Sequence, residues 1–552
     1  MPFPLFVFAS SVIAVATVTA TVFLSRRPQL AVLAALAGAT GLLLFHGPAY
    51  FDYYADDAYI TLRYSRHLVD GLGPNWNATG HVEGYTSFSW MGIHAGLGKL
   101  GVDLVGASQV LGFLAVLATF LVLYRIWQLW SDDEPRSGIE HPLVLAAALL
   151  ALALSDAVPF WGFSGMETPL FMALITTSAY LYLQEQRTGG FPWSALAVTA
   201  TAMTRPEGLI VAAVTGTFVV ADAWRAPDRQ RALRRVLLWG ALFAVPYGIY
   251  FGWRWSYYGY PFPNTFYAKV GATSAVFNRG LEYISTYGLR YQLLLMVVGA
   301  AFIVTRPRLR NDAAYVLALA AAMLLGIVFE GGEDFPNGRF IAPILPLLYL
   351  GGLAGFAVAL KQLALDPLRT AVVVAATLSL GGLSLLPSSF NPALARERDA
   401  HDERQLIGAW LSENTPSDYT IAAYAVGAIG YYADDRPILD MLGLNDEVIA
   451  HTYVPHLGEG IAGHEKYNID YVLEEVRPEI IVPSDAEPGA LTEDELRVQF
   501  SRPSPVPARD KLLTDPRLWE RYDVRSLQLE GRWFNILVRT DSLGELRASG
   551  LR

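Results

Sequence analysis

The sequence predicts a polytopic α-helical membrane protein carrying a C-terminal α/β domain outside the bilayer. Two observations predict the first part. Of 552 residues, 53% are hydrophobic and only 17% charged, with a mean hydropathy of +0.32, and apolar runs recur that reach the roughly 20 residues a helix needs to cross the hydrocarbon core. A third observation predicts the second part: beyond residue 388 Pro, Asp, Glu and Arg rise and the apolar runs shorten to strand length.

Taken in order, the first run is Phe3 to Leu24. It lacks a basic n-region and passes through Arg26 and Arg27 into a second run, so it reads as a retained span rather than a signal peptide. The second run ends near His46, and a polar and aromatic stretch follows to Trp90. Further runs lie near 104–130, 142–160, 168–185, 193–222, 236–255, 290–305, 313–329, 341–361 and 370–387. Thr204-Arg205-Pro206-Glu207-Gly208 interrupts the run 193–222, which predicts two short spans meeting at a polar turn.

Basic residues set the orientation. Arg26/Arg27, the five arginines between Arg225 and Arg235, Arg306/Arg308/Arg310 and Lys361 to Arg369 fall on one side, which the positive-inside rule makes cytoplasmic. About eleven or twelve spans result, with the N-terminus outside. The loops 47–103, 161–167, 204–208, 256–289 and 330–340 lie on the other side, together with the domain 388–552. In that domain 419–424, 438–441, 480–483 and 533–538 read as strands, and 404–412 and 470–476 as helices.

The residues exclude several chemistries. With no Cys in the chain there is neither a disulfide framework nor a thiolate nucleophile. No P-loop or dinucleotide fingerprint is present. The histidines lack metal-ligand spacing, so neither a metal nor a cofactor is expected. Nothing points to nucleic acid. Asn77-Ala78-Thr79 matches a glycosylation triplet, a short and common pattern.

Asp56 and Asp57 stand side by side after the second span, where paired carboxylates at a membrane surface are costly unless used. One of them could serve as general base toward an acceptor hydroxyl; the same pair also suits a helix N-terminus. If residues 56 onward are helical, the two point about 100° apart, and Asp56 at the loop-to-helix junction is the expected base. Arg205, Arg254, Lys269 and Arg339 are cations at or near headgroup level; Lys269 and Arg339 lie in loops, where a solvated charge is the ordinary reading, and only the family likeness described next makes the four candidates for holding a lipid phosphate. Arg254, near a span end, also suits snorkelling.

The segment from Asp56-Asp57 through Arg63-Tyr64-Ser65-Arg66 and Gly71-Leu72-Gly73-Pro74 to Val82-Glu83-Gly84-Tyr85-Thr86-Ser87 resembles the first extracytoplasmic loop of GT-C glycosyltransferases. The likeness is to the mycobacterial terminal β-arabinofuranosyltransferase and its bacterial relatives. Gly165-Met166-Glu167-Thr168-Pro169-Leu170, Thr204 to Gly208, Pro263 to Lys269, Gly331 to Phe340, and the C-terminal stretches 425–432 and 440–446 are similar to segments of the same group. That resemblance implies a GT-C fold in a bacterial inner membrane and an active site facing the periplasm or cell exterior. It also implies a polyprenyl-phosphate sugar donor, an envelope glycan, lipid or protein acceptor, and Asp56 or Asp57 as base. Glu83, Tyr85, Glu167, Asn264 and Asp334 would bind sugar or acceptor. Glu83-Gly84-Tyr85-Thr86-Ser87 stands where the arabinofuranosyltransferase pattern has Glu-Ala-Asn-Thr-Ser, which leaves the sugar open between arabinofuranose and another pentose or hexose. A secondary transporter or flippase for a lipid-linked precursor is the alternative, since broken helices with charges also build transport sites. A transporter should show two matching halves, and the sequence has none.

Overall fold

A computed structural model describes residues 3–271, 273–362, 392–433, 436–499 and 506–545. The expected run 370–387 lies outside the described residues. Helices α1 (Phe3–Phe23) and α2 (Pro28–Tyr50) pack together, with Ser10 and His46 sharing a 2.9 Å hydrogen bond across them. The segment read as a long loop contains two helices, α3 (Asp56–Val69) and α4 (Phe88–Lys99). The 30-residue α5 (Leu104–Asp133) follows, its first turn capped by Asp103 accepting from the Gly106 amide at 2.7 Å.

The next elements are α6 (Pro142–Leu154), α7 (Ala157–Phe163), α8 (Thr168–Thr188), α9 (Trp193–Thr204), α10 (Gly208–Arg225) and α11 (Arg229–Tyr258). The break between α9 and α10 falls at the polar turn read from sequence. Pro206 cannot donate to a helix and drives Arg205 to φ −150°, ψ 146°. After α12 (Asn264–Lys269), α13 (Ser274–Arg290) and α14 (Leu293–Ile303), the domain closes with α15 (Arg310–Glu330) and α16 (Leu345–Gln362).

Among the described residues seven helices are long and apolar enough to cross a membrane, or nine if two bent pairs each count as one span. These pairs, α6 with α7 and α13 with α14, bend by 60° and 74°. The second corrects the sequence reading of a straight span over 290–305 after a loop: Gln292 takes a left-handed conformation (φ 56°), so the helix breaks and α13 occupies the expected loop. The two bends are tied together. Asp156, at the first, accepts from the Tyr291 hydroxyl at 2.8 Å and pairs with Arg290 at the second, which gives a fully buried carboxylate the partners it requires.

The C-terminal region begins with α17 (Pro392–Asn414) and builds a five-stranded sheet from β1 (Ile421–Ala423), β2 (Ile438–Asp440), β3 (Ile480–Val482), β4 (Tyr522–Leu529) and β5 (Arg532–Arg539), in the order β2-β1-β3-β5-β4. β1 pairs in parallel with both β2 and β3, while β3–β5 and β4–β5 are antiparallel. The three parallel strands are buried along their whole length, as strands covered on both faces must be. All four expected strands are present. β4 is the one missed, because charged and polar residues interrupt its alternation; its signal was the Glu530-Gly531 turn, both residues at positive φ, which matches a tight hairpin. A short helix, α18 (Val426–Tyr432), joins β1 to β2, and 471–476 forms a π-helical turn.

This domain sits on α3 and on the chain just after it. Arg63 is fully buried, donating to the carbonyls of Trp76 (2.9 Å), Arg436 (2.8 Å) and Gly430. The Trp76 indole and the Asn77 amide both donate to the Ile438 carbonyl, at 2.9 and 3.0 Å, and Asn77 accepts from the Ile438 amide at 2.9 Å. Asn77, noted in the sequence as a glycosylation triplet, thus spends its amide on the edge of β2.

Candidate active site

A cavity of about 470 Å³ lies between the two domains, a size usual for small-molecule sites. On the helical side it is lined by Tyr53, Asp56, Asp57, Lys269 and the turn 333–336; on the other by residues following β1, β2 and β3 and by the loop 462–464.

The acidic pair opens α3. Ala55 is extended (φ −71°, ψ 131°) and offers no side-chain cap, so both carboxylates enter the first turn. Their surroundings differ. Asp56 accepts from the amides of Gly427 and Ala428 at 2.9 and 3.0 Å and has Arg404 at 3.8 Å. A Cβ on Gly427 would fall 1.9 Å from the Asp56 carbonyl oxygen, so glycine is required for this approach. Asp57 makes no hydrogen bond or ion pair among the described residues and faces the cavity. Of the pair, it is thus Asp56, the base expected from sequence, that is engaged by backbone amides, and Asp57 that is left without a partner among the described residues.

Of the four expected cations only Lys269 lines this cavity. It ends α12 and has no polar partner among the described residues; its stem lies so close to Gly463 (φ 81°) that a Cβ there would be 2.7 Å from Lys269 Cε. Arg205 and Arg339 are instead locked in a buried network. Glu167 accepts from both, at 2.5 and 2.9 Å, while Glu207 holds Arg205 at 2.5 Å and Glu333 holds Arg339 at 2.6 Å. Burial opposes the charged form of Glu167, yet Arg339 and Arg205 together hold its carboxyl down to about 2. Burial dominates for Glu333 and raises it despite Arg339. Arg254 is neither a snorkelling residue nor a cavity residue: it forms a buried ion pair with Glu83 at 2.7 Å and donates to the Pro261 carbonyl at 2.8 Å. Burial pushes Glu83 up to about 7 against the pull of Arg254.

The expected sugar-binding residues divide in the same way. Asp334 lines the cavity. Glu83, Tyr85 and Asn264 do not: Glu83 is paired with Arg254, Tyr85 meets Tyr258, and Asn264 holds the C-terminal domain. The Tyr85 and Tyr258 hydroxyls are 3.1 Å apart, and Asn264 donates to the carbonyls of Gly443 (2.8 Å), Leu444 (3.1 Å) and Asp446 (3.0 Å). Glu167 belongs to the arginine network. Sequence reasoning missed Arg404, Tyr424, His464, Ser484 and Asp485, which also line the cavity. Their signal was positional, since Tyr424 and Ser484 lie at the ends of the predicted strands 419–424 and 480–483. Arg404 holds Asp485 bidentately at 2.7 and 2.8 Å. No group of three or more His, Asp or Glu side chains among the described residues is arranged to hold a metal ion.

Over most of its length the architecture matches known structures. ArnT from Cupriavidus metallidurans in the apo state superposes with a TM-score of 0.52 at 14% identity, covering 93% of this chain and 98% of that one. The apo oligosaccharyltransferase of Archaeoglobus fulgidus gives 0.52 at 9% identity, covering 92% of this chain and 74% of that one. The chain shares the GT-C fold of these structures. Within that fold, it is 27% identical over 337 residues to the terminal β-(1→2)-arabinofuranosyltransferase of Mycobacterium tuberculosis, a match covering 53% of this chain and 51% of the relative. The chain thus spans about half the length of that curated relative. Residues 394–535 match a family described as a domain of unknown function (DUF8728), which takes in β1 to β4, the start of β5 and the cavity's outer wall.

Proposed function

We propose that this multi-span membrane protein is a glycosyltransferase that moves a sugar from a polyprenyl-phosphate donor to a hydroxyl of an envelope glycan, lipid or protein. The observation that carries this reading is one cavity lined by a carboxylate and an ammonium, Asp57 and Lys269, neither of which has a polar partner among the described residues. The GT-C fold and the arabinofuranosyltransferase relative support it. Asp57 takes the proton of the acceptor hydroxyl as that oxygen bonds to the anomeric carbon. The anomeric carbon–phosphate oxygen bond breaks, and the polyprenyl phosphate departs with its charge held by Lys269. On this reading the cavity faces the periplasm or cell exterior of a bacterial inner membrane. The positive-inside rule supports that orientation: α15 runs from Arg310 toward the cavity turn at 333–336, and α10 from the Arg205 network to Arg225, so the basic ends lie opposite the cavity.

Arabinofuranose is the first donor sugar to test, on the strength of the mycobacterial relative. Purified protein is incubated with radiolabelled polyprenyl-phosphate sugars, pentose and hexose, and a set of envelope glycans. Label should enter an acceptor with wild-type protein and fail to do so with Asp57→Asn. Absence of transfer from every donor of the panel would reject the reading.

A further inference from the structure

Asp57, Lys269 and Asp334 account for one wall of the cavity. The facing wall is the carboxyl edge of the parallel strands. In chain order the sheet runs β1, then β2 on one side of it, then β3 on the other. The strand order therefore reverses between β1 and β3, and α/β sheets leave a ligand-binding crevice outside the carboxyl ends at such a point. Tyr424 and Ala425 follow β1, and Pro483, Ser484 and Asp485 follow β3; all five line the cavity.

Two of these side chains carry polar atoms that are buried and lack a hydrogen-bond partner among the described residues, the Tyr424 hydroxyl and Ser484 Oγ. Buried hydroxyls are ordinarily paired, and leaving one unpaired is costly. Tyr424 directly follows β1 and Ser484 lies two residues beyond β3, so both stand where the strand ends open on the cavity. Between them lie the apolar surfaces of Val482 and Pro483, and His464 borders the same space with Nδ1 3.2 Å from the Ala462 carbonyl. Arg404, the cation on this side nearest Asp56, is committed to Asp485. Arg509 also lines this wall, close enough to Tyr424 to act on its hydroxyl electrostatically, and like Arg404 it is not free. The two unpaired hydroxyls set on apolar surface suit a neutral, polyhydroxylated ligand, while the cation left without a partner for a phosphate is Lys269 on the other wall.

We infer that the crevice at the carboxyl ends of β1 and β3 is the acceptor subsite, where a neutral glycan chain satisfies Tyr424 and Ser484 and presents its attacking hydroxyl to Asp57. The identity of the ligand as acceptor rests on the transferase reading; the binding of a glycan there does not.

The test uses full-length protein in detergent, with an arabinofuranosyl and a mannosyl tetrasaccharide as probes and undecaprenyl phosphate as the lipid probe. Oligosaccharide binding is followed by saturation-transfer NMR, and acceptor KM is measured wherever transfer is seen. Tyr424→Phe and Ser484→Ala should each raise the tetrasaccharide Kd and the acceptor KM roughly three- to tenfold, the usual size of one neutral hydrogen bond. The rate at saturating acceptor and the affinity for undecaprenyl phosphate should stay at wild-type values, which also certifies the fold. An unaltered Kd and KM in the double variant would overturn the inference, as would failure of both tetrasaccharides to bind wild-type protein, or a selective loss of undecaprenyl phosphate affinity. If neither probe is glycosylated but one binds in a manner dependent on Tyr424 and Ser484, the subsite stands and the transferase reading fails. Transfer with an acceptor KM indifferent to both residues would leave the transferase reading standing and overturn the subsite.

Discussion

Replacing Asp57 and Asp56 one at a time by Asn separates a chemical role from a seating role. Asn keeps the size of the side chain and removes its basicity. At Asp57, which the cavity leaves without a polar partner among the described residues, nothing structural is lost, and the cost is that of a missing general base: about a hundred- to ten-thousand-fold in kcat, or about 2.7 to 5.4 kcal/mol at 1.36 kcal/mol per decade. At Asp56 the arithmetic is different. Its carboxylate serves two amides, Gly427 at 2.9 Å and Ala428 at 3.0 Å. An Asn can accept from one and must turn its NH₂ toward the other, so one charge-assisted hydrogen bond worth about 1.5 to 3 kcal/mol is lost. That loss acts on the seating of α18 against α3, and corresponds to roughly a ten- to 150-fold faster local opening. Hydrogen exchange at 427–428 together with single-turnover transfer tests both halves. Asp57→Asn should abolish turnover with exchange unchanged; Asp56→Asn should accelerate exchange with a much smaller loss of rate. Full activity in Asp57→Asn, or a dead Asp56→Asn with unchanged exchange, would refute the assignment.

Other perturbations probe the rest of the site. Lys269→Ala should weaken undecaprenyl phosphate binding at least about tenfold in a ligand-depletion assay, the scale of one desolvated charge-assisted contact, and leave the melting temperature in place. Arg205→Ala and Arg339→Ala should instead lower the melting temperature, because each strands buried carboxylates. Glu167→Gln should show a pH-dependent penalty. The folded carboxyl is held near 2, below its ordinary 4.5, so its stabilisation is complete above about pH 4.5 and is lost as the pH falls toward 2; the displacement is worth on the order of 3 kcal/mol. Chemical unfolding of both proteins at pH 7 and at pH 3 should show the wild-type advantage shrinking in acid, and a pH-independent difference would contradict the ion-pair account. Gly427→Ala should unseat the C-terminal domain, seen as faster proteolysis of residues 426–432, since a Cβ would fall 1.9 Å from the Asp56 carbonyl oxygen.

The elements were legible wherever a local rule governs them. Apolar runs of spanning length, the Pro206 break, the placement of basic residues and the buried three-residue strands are each set by neighbours in sequence: backbone groups in lipid must be satisfied within their own helix, and a proline acts on the residue before it. For the same reason the acidic pair stood out. Tertiary structure decided which charges remain available. Arg254 and Glu83 are 171 residues apart and cancel each other, and Glu167 reaches 38 residues to Arg205 and 172 to Arg339. Asp56 and Asp57 are equivalent in sequence, yet amides 371 and 372 residues away claim Asp56 and leave Asp57 to the cavity. Likewise Tyr424 and Ser484 carry no motif and acquire a role only because β1 and β3 pair in parallel and bring their ends to one crevice. A sequence fixes which groups can be charged or can donate, but the partner that neutralises or exposes each of them is chosen by contacts between distant segments, where low dielectric and burial make a single ion pair or amide decisive.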